Sequence, residues 1–324
     1  MTIKTYAQAI KDTLAEEMRK DKNVFIMGED IKVLGGVFGC TRGLVDEFGE
    51  DRVINTPISE AGFVGAGLGA AAAGMRPVVE LMYMDFTYIA MDQILNQVAK
   101  VRYMTGGNIS VPMVIRGQQG IGRGNAAQHS QSVETIFMHM PGIKVVLPST
   151  PADAAGLLRT AIRDIDPVIF IEHKALYATK GEVPDDPEFS IPFGKANVVK
   201  KGSDVTVVTN LYYLNKTLEV ANKLEKEGIS VEIIDPRTLV PFDKDTIINS
   251  IKRTGKLLVV HEAHKIAGWG AEVAATIMEE AFDYLDAPVM RLGARHCPLP
   301  FNLNLENAVI PQVEDIEEAI RKIV

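Results

Sequence analysis

The chain has 324 residues, 47% of them hydrophobic and 23% charged, and a formal net charge of −8. That length can fill two domains with real cores. The acidic balance carries no basic stripe, which argues against a nucleic-acid partner. The two cysteines, Cys40 and Cys297, lie far apart without metal-ligand spacing, which argues against a disulfide framework or a zinc site. No apolar run approaches the roughly 20 residues that span a bilayer, and the first residues have no apolar signal core. A soluble, cytoplasmic protein without a membrane partner is expected.

In chain order, Tyr6 to Lys20 reads as a helix with Ile10, Leu14 and Met18 on one face. A short strand, Asn23 to Met27, leads to Gly28-Glu29-Asp30 at its carboxyl end, where open parallel sheets keep ligand groups. A Gly-rich loop (31–41) and a short helix (Arg42 to Phe48) follow. The run Arg52-Val53-Ile54 then stops before Pro57, and Glu60 opens a segment made almost wholly of Gly and Ala up to Gly74. Glycine is a poor helix former, so this composition points to something packed closely against the helix backbone. A strand (Pro77 to Met82), Asp85-Phe86, a helix from about Ile89 to Tyr103 and a buried strand (Val111 to Arg116) come next. Gly117 to Ser132 reads as a long flexible loop, a length that usually signals function. Strands Lys144 to Leu147 and Val168 to Ile171, with a helix Pro151 to Arg163 between them, complete the first sheet.

Pro184, Pro187 and Pro192 sit among acidic residues without periodicity, which reads as a linker. The strand–helix alternation then restarts at Val205 and ends in an amphipathic turn over Val313 to Val324. The expected fold is α/β with two domains, each a mainly parallel sheet flanked by helices. The expected bounds are 1–178 for the first domain, 179–201 for the linker and 202–324 for the second.

Gly67-Leu68-Gly69-Ala70-Ala71-Ala72 satisfies G-x-G-x-x-A, yet it lies inside the expected helix and not in the turn after a strand, where a dinucleotide fingerprint sits. No P-loop and no G-x-S-x-G occur. Taken singly, Glu60 reads as a first-turn residue favoured by the helix dipole, Glu29 as a loop carboxylate, His129 as a surface histidine and Phe86 as a core aromatic. Their common placement after strands of one parallel sheet makes them a candidate site.

TPISEAGF (56–63), MDF (84–86), AAQHSQS (126–132), AIRDIDPV (161–168) and IIDPRTLVPFD (233–243) together resemble the beta subunit of the thiamine-diphosphate-dependent component of 2-oxoacid dehydrogenase complexes, those acting on pyruvate, branched-chain 2-oxoacids or acetoin. The likeness covers essentially the whole chain and implies a pyrimidine-binding domain followed by a transketolase C-terminal-like domain. It implies that Glu60 bonds the pyrimidine nitrogen of thiamine diphosphate, with Ile58, Phe86 and Glu29 also at the cofactor. It implies that His129 serves the substrate-derived group or its transfer to lipoamide, work that suits a near-neutral imidazole. A free Glu titrates near about 4.3, and burial among Gly, Ala and Phe is expected to raise Glu60. Ala161, Ile162, Asp164 and Asp166 match a loop that binds potassium in some relatives.

The family class holds the diphosphate and magnesium with a Gly-Asp-Gly motif and a downstream Asn, as hard oxygen ligands require. This chain has no Gly-Asp-Gly. The resemblance therefore implies an alpha subunit that supplies the diphosphate half, in an alpha2-beta2 heterotetramer. A dihydrolipoyl acyltransferase core with its lipoyl domain is the further implied partner. The Gly35 to Gly39 loop and the MYMDF run resemble acetoin-type or broad 2-oxoacid members. The competing readings are an NAD-binding oxidoreductase using Gly67 and Gly69, and a non-catalytic assembly subunit.

Overall fold

The structure is a computed structural model that describes residues 1–324. Its contacts divide the chain into two compact units: 1–119 with 136–193, and 120–135 with 194–324.

In the first unit, β1 (Thr2–Thr5) leads into α1 (Tyr6–Lys20), whose first turn is capped by the Thr5 hydroxyl accepting from the Gln8 N–H. Then come β2 (Val24–Gly28), α2 (Leu44–Phe48), β3 (Val53–Asn55), α3 (Glu60–Ala72) and β4 (Arg76–Glu80). β5 (Val114–Gln119), α5 (Glu134–Met138, in this unit from Ile136), β6 (Lys144–Val146), α6 (Pro151–Arg163), β7 (Val168–His173) and β8 (Lys180–Val183) complete it, with α4 (Val101–Met104) just before β5. Strands run β6-β7-β5-β4-β2-β3, every neighbouring pair parallel. β2, β5 and β7 are buried at every position, as expected for strands covered by helices on both faces.

Three features depart from the expected pattern. The expected helix from Ile89 to Tyr103 is a 3₁₀ segment (Met84–Ala90), a π segment (Asp92–Val98) and α4. The expected linker 179–201 contains β8, paired antiparallel with β1, and β9 (Asn197–Lys200), paired antiparallel with β11 (Val231–Asp235). The first unit thus runs to Phe193 and not to residue 178, because pairing with the N-terminal strand holds β8 to it. Segment 120–135, expected within the first domain, clusters with the second unit.

The second unit adds β10 (Val205–Thr209), α7 (Tyr212–Glu225), β12 (Thr238–Val240), α8 (Lys244–Thr254), β13 (Leu257–His264), α9 (Trp269–Glu280), β14 (Met290–Ala294), α10 (Leu303–Val309) and α11 (Val313–Ile323). Its sheet order is β14-β13-β10-β11-β9, parallel except at β9. α11, expected only as an amphipathic turn, lays Ile316, Ile320 and Ile323 onto the core formed by Val205, Val207, Ile233 and Leu258.

Candidate functional site

β3, β2 and β4 are neighbours, and Gly28 pairs in register with both Asn55 and Glu80. These strands end level, so the residues that follow them share the carboxyl edge of the sheet. Glu29 follows β2, Thr56 to Glu60 follow β3, and Phe86 follows β4. That edge is where open α/β sheets bind ligands.

Glu60 is the first residue of α3 and is 4% exposed, packed at a helix start whose Phe63 and Val64 are also buried. The Gly/Ala composition of α3 has a local cause. A Cβ on Gly67 would lie 2.9 Å from both Val79 Cγ2 and Met113 Cε, so only glycine lets the helix lie this close to the sheet. Gly67 is a packing residue inside a helix, and the dinucleotide reading of Gly67 and Gly69 has no strand-to-helix turn to rest on.

Glu29 is equally buried. Burial, then the charge on Glu60 and that on Asp30, push the Glu29 carboxyl up to about 7. The Glu29 carboxyl is thus poised near neutrality. Glu29 Oε1 and Thr56 Oγ1 are both buried without a hydrogen-bond partner. Buried polar atoms are normally satisfied, so these two mark where a polar ligand fits. Thr56 was not singled out from sequence. Its signal is a small hydroxyl directly after a strand, within the TPISE run.

The titration has a consequence for the chain by itself. Glu29 binds a proton more tightly folded than unfolded, so between about 4.5 and about 7 the folded state holds more protons. Stability from this group is present below about pH 4.5 and is lost as pH rises through about 7. Melting of wild type and Glu29→Gln from pH 5 to pH 8 is expected to show the variant gaining relative to wild type as pH rises. A constant difference would contradict it.

Phe86 is half-buried, its ring 5.6 Å centroid to centroid from Tyr83 in an edge-on contact. Ile58 is 82% exposed, so it presents uncovered apolar surface rather than a buried contact. His129 is half-buried on the 120–135 segment of the second unit.

Ala161, Ile162, Asp164 and Asp166 lie at the α6–β7 turn. The carbonyls of Ile162 and Asp164 both accept from Arg76 Nη1 at 2.9 Å. The Asp164 carboxylate accepts from Lys144 Nζ at 2.6 Å, and Asp166 pairs with Arg102. Oxygens do converge here, but on the chain's own cations.

Beneath the carboxyl edge, β4, β5 and β7 bring together a buried charge cluster that sequence reasoning missed. Arg116, 1% exposed, donates from Nε and Nη2 to the two oxygens of Glu172, both at 2.7 Å, and from Nη1 to Glu80. Tyr177 Oη donates to Glu172 at 2.6 Å. Burial pushes the Glu80 carboxyl up, against the pull of Arg116. The available signal was a charge directly after a run of apolar residues in each of the three strands.

Comparison with known proteins gives the family. Residues 3–180 match the family described as Transketolase, pyrimidine binding domain, and residues 194–316 match Transketolase, C-terminal domain. The chain is 46% identical over 319 residues to a pyruvate dehydrogenase E1 component subunit beta of Rickettsia felis, covering 98% of each chain. It is 47% identical to an acetoin:2,6-dichlorophenolindophenol oxidoreductase subunit beta of Cupriavidus necator, covering 97% of this chain and 95% of that one. It is 44% identical to a 2-oxoisovalerate dehydrogenase subunit beta of Bacillus subtilis, covering 100% and 99%. A solved split-gene transketolase, an inactive beta4 tetramer, superposes with a TM-score of 0.80 at 22% identity over 98% and 97% of the two chains, a likeness of fold. On its fold, its paired domains and these relatives, the chain belongs to the family of beta subunits of thiamine-diphosphate-dependent 2-oxoacid and acetoin dehydrogenases.

Proposed function

We propose that this chain supplies the pyrimidine half of a thiamine diphosphate site, and that a partner alpha subunit, in an alpha2-beta2 assembly, supplies the diphosphate and magnesium half. The observation that carries the reading is the pair of buried carboxyls, Glu29 and Glu60, at the level ends of β2 and β3, with Glu29 Oε1 and Thr56 Oγ1 left for a ligand to satisfy. The absence of Gly-Asp-Gly supports the division of the site between two chains.

When bound, thiamine diphosphate supplies a nucleophilic thiazolium carbon. This chain's residues manage protons and geometry around it. The Glu60 carboxyl would hold the pyrimidine ring nitrogen, donating to it when protonated and accepting from its N–H once the proton has passed across. Glu29, raised to about 7, would accept from the amino group through a carboxyl oxygen, and in its protonated form it keeps a second negative charge away from Glu60. Phe86 gives the aminopyrimidine an apolar face. Burial of both carboxyls excludes water that would otherwise compete for the proton. His129 serves the substrate-derived acyl group as it passes to the lipoyl domain of an acyltransferase core.

The substrate is a 2-oxoacid or acetoin. Relatives named for pyruvate, acetoin and 2-oxoisovalerate stand at similar identities of 44–47%. No helix is long and apolar enough to cross a membrane, and a cytoplasmic location fits the family. The test is to co-express the chain with its alpha partner and assay pyruvate, branched-chain 2-oxoacids and acetoin with a lipoyl domain as acceptor. Consumption of at least one, with acylation of the lipoyl domain, is expected. Assembly without turnover of any would favour a non-catalytic role.

A further inference from the structure

Of the flexible loop expected over Gly117 to Ser132, the first three residues belong to β5, and the rest, within segment 120–135, is tied down at both legs. Its base is closed by the Gly120 N–H donating to the Gln131 carbonyl at 3.2 Å. Between these, the backbone takes left-handed φ at Gly120, Gly122, Gly124 and also at Ala126, where φ is 62°. A non-glycine residue keeps such a conformation only when its surroundings over-determine it. Three residues on, the His129 N–H donates to the Ala126 carbonyl at 3.3 Å, so the strained turn fixes the backbone from which the histidine projects.

The over-determining contacts come from β13 and the C-terminal helical region. Ile121 is buried among Ala294, Leu299, Val309 and Ile310. A Cβ on Gly124 would lie 2.7 Å from the Phe301 carbonyl oxygen, so that strand of the loop is pressed against backbone. Glu306 accepts from the Gly122 N–H at 3.3 Å. Glu262, near the end of β13, accepts through the single atom Oε1 from the Ile121 N–H at 2.8 Å and from the Ser132 hydroxyl at 3.3 Å. One carboxylate oxygen thus joins the outgoing and returning legs on either side of His129. Bonds to a charged acceptor are the stronger class of hydrogen bond, and a strand residue is a rigid place to mount one.

We propose that Glu262 is a positioning residue for acyl transfer: it clamps both legs of the 120–135 loop and so holds His129 in its working orientation. The proposal rests on the reading of His129 as an active-site residue. Glu262 itself touches no reacting atom.

The test uses the chain assembled with its alpha partner. Misplacement of a reacting group by about 1 Å can cost about 10²-fold in rate, and Glu262→Ala is expected to lower kcat of the overall lipoyl-acylating reaction by that order. The apparent affinity for thiamine diphosphate should be unchanged, and tryptic cleavage after exposed Arg123 should be faster. Glu262→Gln, which keeps the acceptor oxygen, should recover most of the rate and of the protease resistance. Should Glu262→Ala fail to fold, Ser132→Ala, which unties one leg, should show the same pattern with a smaller loss. Wild-type rate and wild-type resistance at Arg123 in the variants would overturn the proposal. So would a rate loss matched by lost cofactor affinity with unchanged cleavage, which is the signature of general support. His129→Ala separates the two readings. A slow His129→Ala beside a wild-type Glu262→Ala overturns the clamp alone, and a wild-type His129→Ala overturns the role of His129 and the clamp with it.

Discussion

Glu60→Gln, assembled with the alpha subunit, is expected to fold, to assemble and to lose about 10²–10⁴-fold in turnover, the range associated with general acid–base groups. The amide keeps the size of the carboxyl and can still hydrogen-bond to a pyrimidine, but it cannot take or return a proton. Substrate KM should therefore move much less than kcat, since the lost interaction belongs to the proton-transfer step. Glu29 cannot replace it. Its carboxyl, pushed up to about 7 by burial and by Glu60, sits after β2 rather than at the start of α3, so it does not occupy the position of the lost group. Removing the Glu60 charge should lower the Glu29 titration, because that charge is the second-largest cause of the shift. Steady-state kinetics beside size-exclusion of the mixed assembly checks the main expectation, and undiminished kcat would sink the assignment.

Arg116→Met is expected to have the largest effect on stability. Arg116 is the cation between Glu80 and Glu172, all three buried, with Glu172 also accepting from Tyr177. Taking it away leaves two carboxylates in an apolar interior. Breaking a buried ion pair from one side costs about 3–5 kcal/mol. For units of this size each kcal/mol moves Tm by about 2–4 °C, so a fall on the order of 10 °C is expected. The sign of the pH dependence follows from Glu80. Burial already pushes its carboxyl up, and loss of the guanidinium removes the pull in the opposite direction. The variant should thus be penalised least at low pH, where the carboxyls are neutral, and most as pH rises. Thermal melts at pH 5.5 and pH 8 test this. A Tm within about 2 °C of wild type at both would show that the cluster contributes little.

Local signals carried much of the fold. α1 and α6 begin and end where expected, Tyr6 to Lys20 and Pro151 to Arg163, and the structure shows the local reason, Thr5 and Thr150 side chains capping their first turns. The segment 84–104 misled because apolar spacing alone does not separate 3₁₀, π and α turns, and its buried Met84, Ala90, Ile94 and Val98 fit more than one of them. β8 and β9 were hidden in a Pro-rich, acidic stretch because their partners, β1 and β11, are distant in sequence. The same limit applies to the site. Sequence marked Glu29 and Glu60 as residues after strands. Only the adjacency of β2 and β3 makes them neighbours, and the charge on Glu60 adds to the burial that raises the Glu29 carboxyl. The 120–135 loop was legible as important by its length, but its attachment to Glu262, 130 residues beyond Ser132, was not.

The central claim is that Glu60 is the cofactor's proton partner in a site completed by a second chain. Its most direct measurement is the rate of deuterium exchange at the thiazolium carbon of thiamine diphosphate in the mixed assembly, wild type against Glu60→Gln, without substrate. The expected result is fast exchange in wild type and exchange slowed by about 10²-fold or more in the variant, at saturating cofactor. Equal exchange rates in two assemblies that bind the cofactor equally would contradict it.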